Sequence, residues 1–138
     1  MIWILDCSFS AVLFLPDEYS SKVRDFFILL SKNNQLCVPS LWWYEITNVL
    51  IVAERRKRLN YSDVVKIVSL FEKLDMETDK PSGVSYSKEI YELAHLNKLS
   101  AYYAVYLELA IRKDASLASL DKQLLEVAVN SGISIYGT

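Results

Sequence analysis

The sequence predicts an α/β layer sandwich, built on a five-stranded and mainly parallel sheet with helices on its faces. Five short predicted strands are separated mostly by helices, which is the pattern of parallel α/β proteins. The hydrophobic fraction is 52%, so most of the chain is expected to lie near a core. The length of 138 residues suits one domain, which we place at 1–138.

The first predicted strand is the apolar run IWIL at 2–5, and it ends at Asp6. A short run of this kind is typical of a strand buried on both faces. Ser8 indicates the start of a helix, and the pattern at 20–32 indicates a second, amphipathic helix.

The second predicted strand is LCV at 36–38. Ser40 follows it and is placed to cap a helix over 41–58. Asn60 or Ser62 opens the next helix.

The C-terminal half continues the alternation of strands and helices. Its predicted elements are a weak strand at 76–78, a helix at 84–96, a helix capped by Ser100, a strand at 116–120, a helix starting at Asp121 and a strand at 133–136. In a parallel sheet the functional crevice lies beyond the carboxyl ends of the strands, so the residues that directly follow strands are the first candidates for chemistry.

Composition excludes several classes of protein. Fifteen basic and seventeen acidic residues give a net charge of −2, so any contact with nucleic acid must be local. The apolar runs are too short to span a bilayer and the N-terminus lacks the features of a signal peptide, so we expect a cytoplasmic protein without membrane contact. Cys7 and Cys37 are expected to be reduced core thiols, the alternatives being a disulfide or a metal pair.

Two acidic residues directly follow predicted strands. Asp6 comes after the first strand, where it is either a turn or cap residue or a functional carboxylate. Asp121 follows the strand at 116–120, where an N-cap is the alternative to a functional role. Ser119, two residues earlier, is placed to face the same crevice.

A third acidic residue stands in apolar surroundings. Glu45 lies in the second turn of the helix LWWYEITNVLIVA, where an isolated carboxylate is costly unless it is paired or bound to a metal. Asn48 shares its helical face, so a solvated polar stripe is the alternative.

Several carboxylates in one crevice repel each other unless a cation lies between them. Oxygen ligands select hard cations, so Mg²⁺ or Mn²⁺ is the expected ion. Such an ion suits phosphodiester hydrolysis without a His or Cys nucleophile. The sole histidine, His95, is predicted to be a surface residue near a helix end.

Over essentially its whole length the chain resembles PIN-domain proteins of the VapC toxin type. The resemblance rests on four segments in order, ILDCSFSAVLFLPDE, VPSLWWYEITNVL, LSAYYAVYLELA and LASLDKQLLEVA. It implies a Rossmann-like five-stranded parallel sheet and an acidic Mg²⁺ site for cleaving RNA. It also implies a homodimer and a small VapB-like antitoxin that threads a segment into the active groove.

The family's site residues carry over position by position. The first, second and last acids of the family fall on Asp6, Glu45 and Asp121, which the resemblance makes the catalytic metal ligands. The polar positions that accompany these acids fall on Ser8, Asn48 and Ser119.

The chain departs from the family at Tyr103. The family motif resembles LSAYDAxYLxLA, and here the aspartate position holds a tyrosine. A phenol has a pKa of about 10 and is a poor ligand for a hard cation. Glu108 lies about 140° around the helix from Tyr103 and Asp114 about 16 Å along it, so neither acid replaces the missing one.

Two hypotheses about activity follow from Tyr103. The first is a metal-dependent endoribonuclease of the toxin type with weakened activity. The second is an impaired PIN domain, arising by an inactivating base change or as a natural pseudoenzyme, that binds an antitoxin or RNA. A third class, a nucleotide-binding domain, is disfavoured because the chain has no Gly-rich phosphate loop.

Two further features are interpreted from the sequence. The basic run Arg55, Arg56, Lys57 and Arg58 ends the predicted helix over 41–58. It either complements the helix C-terminus and adds solubility, or contacts RNA phosphates or an acidic antitoxin. Trp42 and Trp43 are predicted to lie mostly in the core or an interface, with base stacking as the alternative.

Overall fold

The computed structural model describes residues 1–137 and confirms the predicted parallel α/β architecture. The strands are β1 (Ile2–Leu5), β2 (Gln35–Pro39), β3 (Met76–Asp79), β4 (Ser116–Ser119) and β5 (Ile135–Gly137). The helices are α1 (Cys7–Phe14), α2 (Ser21–Leu29), α3 (Ser40–Arg55), α4 (Tyr61–Phe71), α5 (Val84–Asn97), α6 (Ala101–Arg112) and α7 (Lys122–Asn130).

The sheet has the strand order β3-β2-β1-β4-β5, and every neighbouring pair is parallel. The chain moves outward from β1 to β3 on one side and from β4 to β5 on the other. Right-handed crossovers therefore place the early helices and the late helices on opposite faces of the sheet. The strand order reverses between β1 and β4, and ligands of open α/β sheets bind at the carboxyl ends of strands at such a point.

The two central strands are buried on both faces. Ile4 and Leu5 on β1 and Leu117 and Ala118 on β4 are all inaccessible to solvent or nearly so. This explains why β1 is a continuous apolar run rather than an alternating one. The Asp6 amide extends the β1–β4 pairing by donating to the Ala118 carbonyl at 3.1 Å, which fixes the backbone of Asp6 at the carboxyl end of the sheet.

The structure corrects the predicted cap of α3. Ser40 is the first helical residue rather than the cap, and Pro39 takes the N-cap position without a side-chain hydrogen bond. The Ser40 hydroxyl donates instead to the Asp79 carbonyl at 3.2 Å, which joins the start of α3 to the end of β3. The hydroxyl of Ser40 thus bonds to the end of a neighbouring strand instead of capping its own helix.

Three boundaries also differ from the prediction. Helix α3 ends at Arg55, because the Arg58 amide returns to the Ala53 carbonyl in a turn. Helix α2 ends at Leu29 and not at 32, and β5 begins at Ile135 rather than at 133. The Ile133 amide donates to the Ala128 carbonyl, so this residue closes α7 and is unavailable to the sheet.

Asn60, not Ser62, opens α4. Its side chain accepts from the Asp63 amide at 2.8 Å, and the Asp63 carboxylate accepts from the Asn60 amide at 3.0 Å. This reciprocal capping box satisfies two amides that the helix itself leaves free.

The structure bears on the predictions about the cysteines and about membrane-spanning segments. Cys7 and Cys37 are free thiols, as predicted. Across positions 1–137, no helix combines the length and the apolar character needed to cross a membrane.

Candidate active site

The candidate site lies at the carboxyl ends of β1 and β4, where the strand order reverses. Asp6 follows β1 and Asp121 lies two residues beyond the end of β4. Glu45 comes from the second turn of α3, and Tyr103 comes from the first turn of α6. The sheet and the N-terminal turns of two helices therefore supply the four residues.

Asp6 is only 4% exposed and its carboxylate is fully occupied by donors. The Phe9 amide donates to Oδ1 at 2.9 Å, so Asp6 is the N-cap of α1. The Ser8 hydroxyl donates to Oδ1 at 2.8 Å, and the Ser119 hydroxyl donates to Oδ2 at 2.6 Å. The two serines proposed as supports from the sequence thus both contact Asp6.

Burial raises the pKa of Asp6 above its ordinary value of 3.8. The hydrogen bonds from Ser119, the Phe9 amide and Ser8 oppose this rise, while the negative charge of Asp121 adds to it. Removing a carboxylate from water costs more than these donors return, so Asp6 ionises at a higher pH than an exposed aspartate.

Asp121 both caps α7 and belongs to the site. Its Oδ1 accepts from the Leu124 amide at 3.0 Å, and its own amide donates to the Ser119 hydroxyl oxygen at 2.9 Å. Ser119 therefore links Asp6 and Asp121 through one hydroxyl. The second carboxylate oxygen of Asp121, Oδ2, accepts from the Tyr103 hydroxyl.

Tyr103 enters the site as a hydrogen-bond donor. The Ser100 side chain caps α6 by accepting from the Tyr103 amide at 3.2 Å, as predicted, and this fixes the first turn. The bond to Asp121, followed by burial and the charges of Asp121, Asp6 and Glu45, raises the pKa of Tyr103 to about 12. The phenol stays protonated at neutral pH, so it cannot act as an anionic ligand.

Glu45 is half-buried, and its partner is a tyrosine that the sequence interpretation missed. The Tyr106 hydroxyl, on a side chain only 2% exposed, donates to Glu45 Oε1 at 2.5 Å. Burial raises the pKa of Glu45, the bond from Tyr106 partly offsets this, and the charge of Asp6 adds to it. The sequence did contain a signal for Tyr106. It lies three residues after Tyr103, which places both tyrosines on the same face of α6.

The supporting role of Asn48 stays a prediction. Asn48 is exposed and its side chain makes no hydrogen bond with any other residue of the 1–137 segment. Cys7, which the sequence interpretation assigned only to the core, lies near the acids. Burial, with the charges of Glu45 and Asp6, raises the pKa of its thiol to about 12, so this thiol is a poor nucleophile at neutral pH.

The donor chemistry suits a hard cation, although the acidic side chains are spread apart. Within residues 1–137, no three His, Cys, Asp or Glu side chains lie close enough to form a metal-binding group. The carboxylates of Asp6, Glu45 and Asp121 instead accept from serine or tyrosine hydroxyls. Oxygen donors of this kind suit Mg²⁺ or Mn²⁺, and the Tyr103 hydroxyl competes with such an ion for Asp121.

Other residues named from the sequence lie away from this site. Glu108 pairs with Arg112 at 2.6 Å. His95 is exposed and stacks on Tyr91, in agreement with its predicted surface position.

The raised pKa values of Asp6 and Glu45 predict that the stability of the fold decreases as pH rises. Asp6 and Glu45 have pKa values above 3.8 and 4.5 in the folded state, so the fold prefers their protonated forms. Their contribution to stability is present below those ordinary values and is lost as pH rises through the raised ones. In buffer with EDTA, we expect the melting temperature to drop by about 3 °C or more between pH 4.5 and pH 7.5.

The matched variant for this measurement is Asp6→Asn, which keeps an N-cap side chain but does not ionise. Its melting temperature is expected to depend less on pH than that of the original chain. A melting temperature that rises steadily with pH, or an identical dependence in Asp6→Asn, would contradict the assignment.

Comparison with known proteins identifies the fold. No protein-family model matches the sequence, and no curated protein matches it. Solved structures similar to this chain include the three that follow. The first is VapBC2 from Rickettsia felis, whose structure was solved with a DNA fragment from the VapBC2 promoter. It has 16% identity and a TM-score of 0.68, and the match covers 100% of this chain and 99% of that chain.

The second similar structure is Mycobacterium tuberculosis VapC20, a sarcin-ricin loop cleaving toxin, with 11% identity, a TM-score of 0.68 and coverage of 91% of this chain and 94% of that chain. The third is FitAcB from Neisseria gonorrhoeae, with 15% identity, a TM-score of 0.64 and coverage of 99% and 96%. The chain therefore has the fold of a VapC-type PIN domain.

Proposed function

We propose, from the PIN-like fold that this chain shares with VapC-type toxins, that it is the nuclease of a toxin–antitoxin pair, with RNA cleavage weakened by Tyr103. The observation that carries the proposal is the hydrogen bond from Tyr103 to Asp121 in a crevice with two other carboxylates. The fold places Asp6 and Asp121 at the switch point of the sheet, and Tyr103 donates a hydrogen bond to Asp121.

Two observations support a hydrolytic nuclease over other chemistries. The carboxylates of Asp6, Glu45 and Asp121 are near enough for the charge of Asp6 to act on Glu45 and that of Asp121 to act on Asp6, whereas the nearby thiol of Cys7 is held protonated. One structure with this fold, VapC20, is a toxin that cleaves the sarcin-ricin loop. RNA is accordingly the proposed substrate.

Mg²⁺ or Mn²⁺ is the proposed cofactor, with Asp6, Glu45 and Asp121 as its proposed ligands. Such an ion supplies an activated water and neutralises charge on the phosphate. Tyr103 is hydrogen-bonded to Asp121 and carries no negative charge at neutral pH. We therefore expect the chain to bind the ion weakly. No hydrolytic step is assigned to the present arrangement.

The proposed partners follow from the similar structures. VapBC2 and FitAcB support a small VapB-like antitoxin as a partner of this chain. A second copy, forming a homodimer, and a cytoplasmic location complete the proposal.

Cleavage of a panel of structured RNAs tests the proposed activity. The purified chain is expected to cleave these RNAs slowly at Mn²⁺ concentrations on the order of 5–10 mM. Such concentrations are needed because the metal site is expected to be weak. EDTA and the variant Asp6→Asn should each reduce the rate by about tenfold or more, because both remove metal binding. Cleavage that survives EDTA or Asp6→Asn unchanged would argue against an acid-dependent, metal-dependent nuclease.

A second function is favoured by one observation, the lack of a metal-binding group of side chains among residues 1–137. Under this alternative the chain is an impaired PIN domain that binds an antitoxin or RNA without cleaving it. Absence of cleavage even when the aspartate is restored at 103, together with retained binding, would favour it.

A further inference from the structure

Three cations form an unpaired basic surface between α3 and α4. The basic turn, defined here as Arg55, Arg56 and Lys57, is fully on the surface. None of the three side chains forms an ion pair or a hydrogen bond with another side chain of residues 1–137. These charges are therefore available to a partner.

The fourth cation of the run has a different role. The Arg58 guanidinium donates to both oxygens of Asp17 at 2.7 and 2.8 Å and to Glu18 at 3.1 Å. This forked pairing fastens the turn to the segment that follows α1. The structure thus divides the run into one structural arginine and three free cations, a division that the sequence does not show.

The turn is held in place on both sides. Leu59 is buried in the core next to Arg58, and the capping box of Asn60 and Asp63 fixes the start of α4. A charged site that is already ordered loses less entropy when it binds than a flexible one. The free cations are presented on a rigid support.

An exposed aromatic residue follows the basic turn closely in the sequence. Tyr61, the first residue of α4, is 76% exposed. Cations that contact phosphates together with an exposed ring that stacks on a base are the usual elements of single-stranded nucleic-acid binding. An acidic peptide would use the cations but would gain less from the ring, so the combination favours RNA.

The charge distribution supplies a reason for such a site. The chain has a net charge of −2, and the candidate active site contains three carboxylates that repel phosphates. A polyanion that reaches this crevice needs attraction from another part of the surface. The basic turn supplies three positive charges at the C-terminal end of α3, the helix that carries Glu45.

We propose that the basic turn and Tyr61 form an RNA-docking site, distinct from the acidic crevice, which binds the phosphodiester backbone and stacks one unpaired base. The assignment of RNA as the ligand rests on the proposed function. Arg55 is ten residues after Glu45, which places the docking site about 15 Å along α3 from the crevice. At about 3.4 Å per stacked nucleotide, four or five nucleotides span this distance.

Fluorescence anisotropy with a labelled 12-nucleotide unstructured RNA, a length of about three times the span, tests the proposal in EDTA. The key variant is Arg55→Gln/Arg56→Gln/Lys57→Gln. If each cation contacts one phosphate, neutralising three should lower the salt slope of log K by about 2 and weaken binding at low salt by about tenfold or more. Tyr61→Ala should weaken binding by about tenfold and leave the salt slope unchanged.

The matched control is Lys32→Gln/Lys80→Gln/Lys88→Gln, which removes three exposed cations elsewhere and changes the net charge equally. It is expected to retain the original affinity and slope. Circular dichroism melting should show that all variants are folded.

Three results would overturn the docking site. They are equal losses in the control and the basic-turn variant, unchanged RNA affinity in the basic-turn variant, and no RNA binding by the original chain. If the basic-turn variant keeps its RNA affinity but loses binding to a Glu-rich peptide, the surface is a protein-binding site instead. Because the assay involves no cleavage, loss of the nuclease proposal leaves an RNA-binding result intact and distinguishable.

Discussion

Replacement of Tyr103 by aspartate is expected to increase metal-dependent RNA cleavage by about 100-fold or more. The substitution removes the phenol that donates to Asp121 and adds a fourth carboxylate to the crevice. Loss of one electrostatic contact in an active site commonly changes kcat by about 10²–10³, and this substitution reverses such a loss. Initial rates on one RNA, with Mn²⁺ varied, measure the effect.

Tyr103→Phe separates the two consequences of the substitution. It frees Asp121 from the tyrosine hydroxyl but adds no carboxylate, so we expect no comparable gain in cleavage. Calorimetric titration with Mn²⁺ should show clear binding only for Tyr103→Asp. An original chain that is already as active as Tyr103→Asp would contradict the inhibitory role of Tyr103.

The same variants should differ in stability. Without metal, Tyr103→Asp is expected to melt below the original chain, because four carboxylates then share a crevice in which Asp6 and Glu45 already have raised pKa values. Saturating Mn²⁺ should stabilise Tyr103→Asp by about 2.7 kcal/mol at a hundredfold excess over Kd. A metal response of equal size in the original chain would show that Tyr103 does not block the ion.

Trp42→Ala is expected to destabilise the fold by about 3–5 kcal/mol, a large share of the stability of a typical domain. Trp42 is completely buried, and its ring packs edge-on against Trp43 and Phe71 with centroid separations of 4.8 and 5.7 Å. Its indole Nε1 donates to the Ser10 hydroxyl at 3.0 Å. Urea unfolding followed by circular dichroism gives the free energy of unfolding.

This tryptophan also supports the site. The Ser10 hydroxyl that accepts from Trp42 donates in turn to the Asp6 carbonyl at 3.0 Å. Trp43→Ala is the matched control, because Trp43 is only half-buried and should cost roughly half as much. A cost below about 1 kcal/mol for Trp42→Ala would contradict its assignment to the core.

Much of the fold was predictable because its signals are local. The apolar run of β1, the caps formed by Ser100 and Asp121 and the alternation of strands with helices all follow from neighbouring residues. The errors lie where a distant partner competes with a local one. Ser40 bonds to Asp79 rather than capping α3, and Ile133 closes α7 rather than starting β5.

The acids of the candidate site were predictable for a related reason. Asp6 and Asp121 follow strands, and the carboxyl ends of parallel strands meet at one edge of a sheet. That Tyr103 stands where a related motif has an aspartate stays a prediction from the resemblance. Their surroundings were not predictable, because the pKa of each acid depends on burial and on charges brought near it by folding.

The sequence by itself determined the alternation of elements, the positions of three acids and the tyrosine that stands among them. Only the tertiary structure decided which groups meet. Tyr103 bonds to Asp121 across 18 residues, Tyr106 to Glu45 across 61, and Arg58 to Asp17 across 41. Patterns of two or four residues fix how one strand or helix forms, whereas these pairs depend on how packed elements are placed relative to each other.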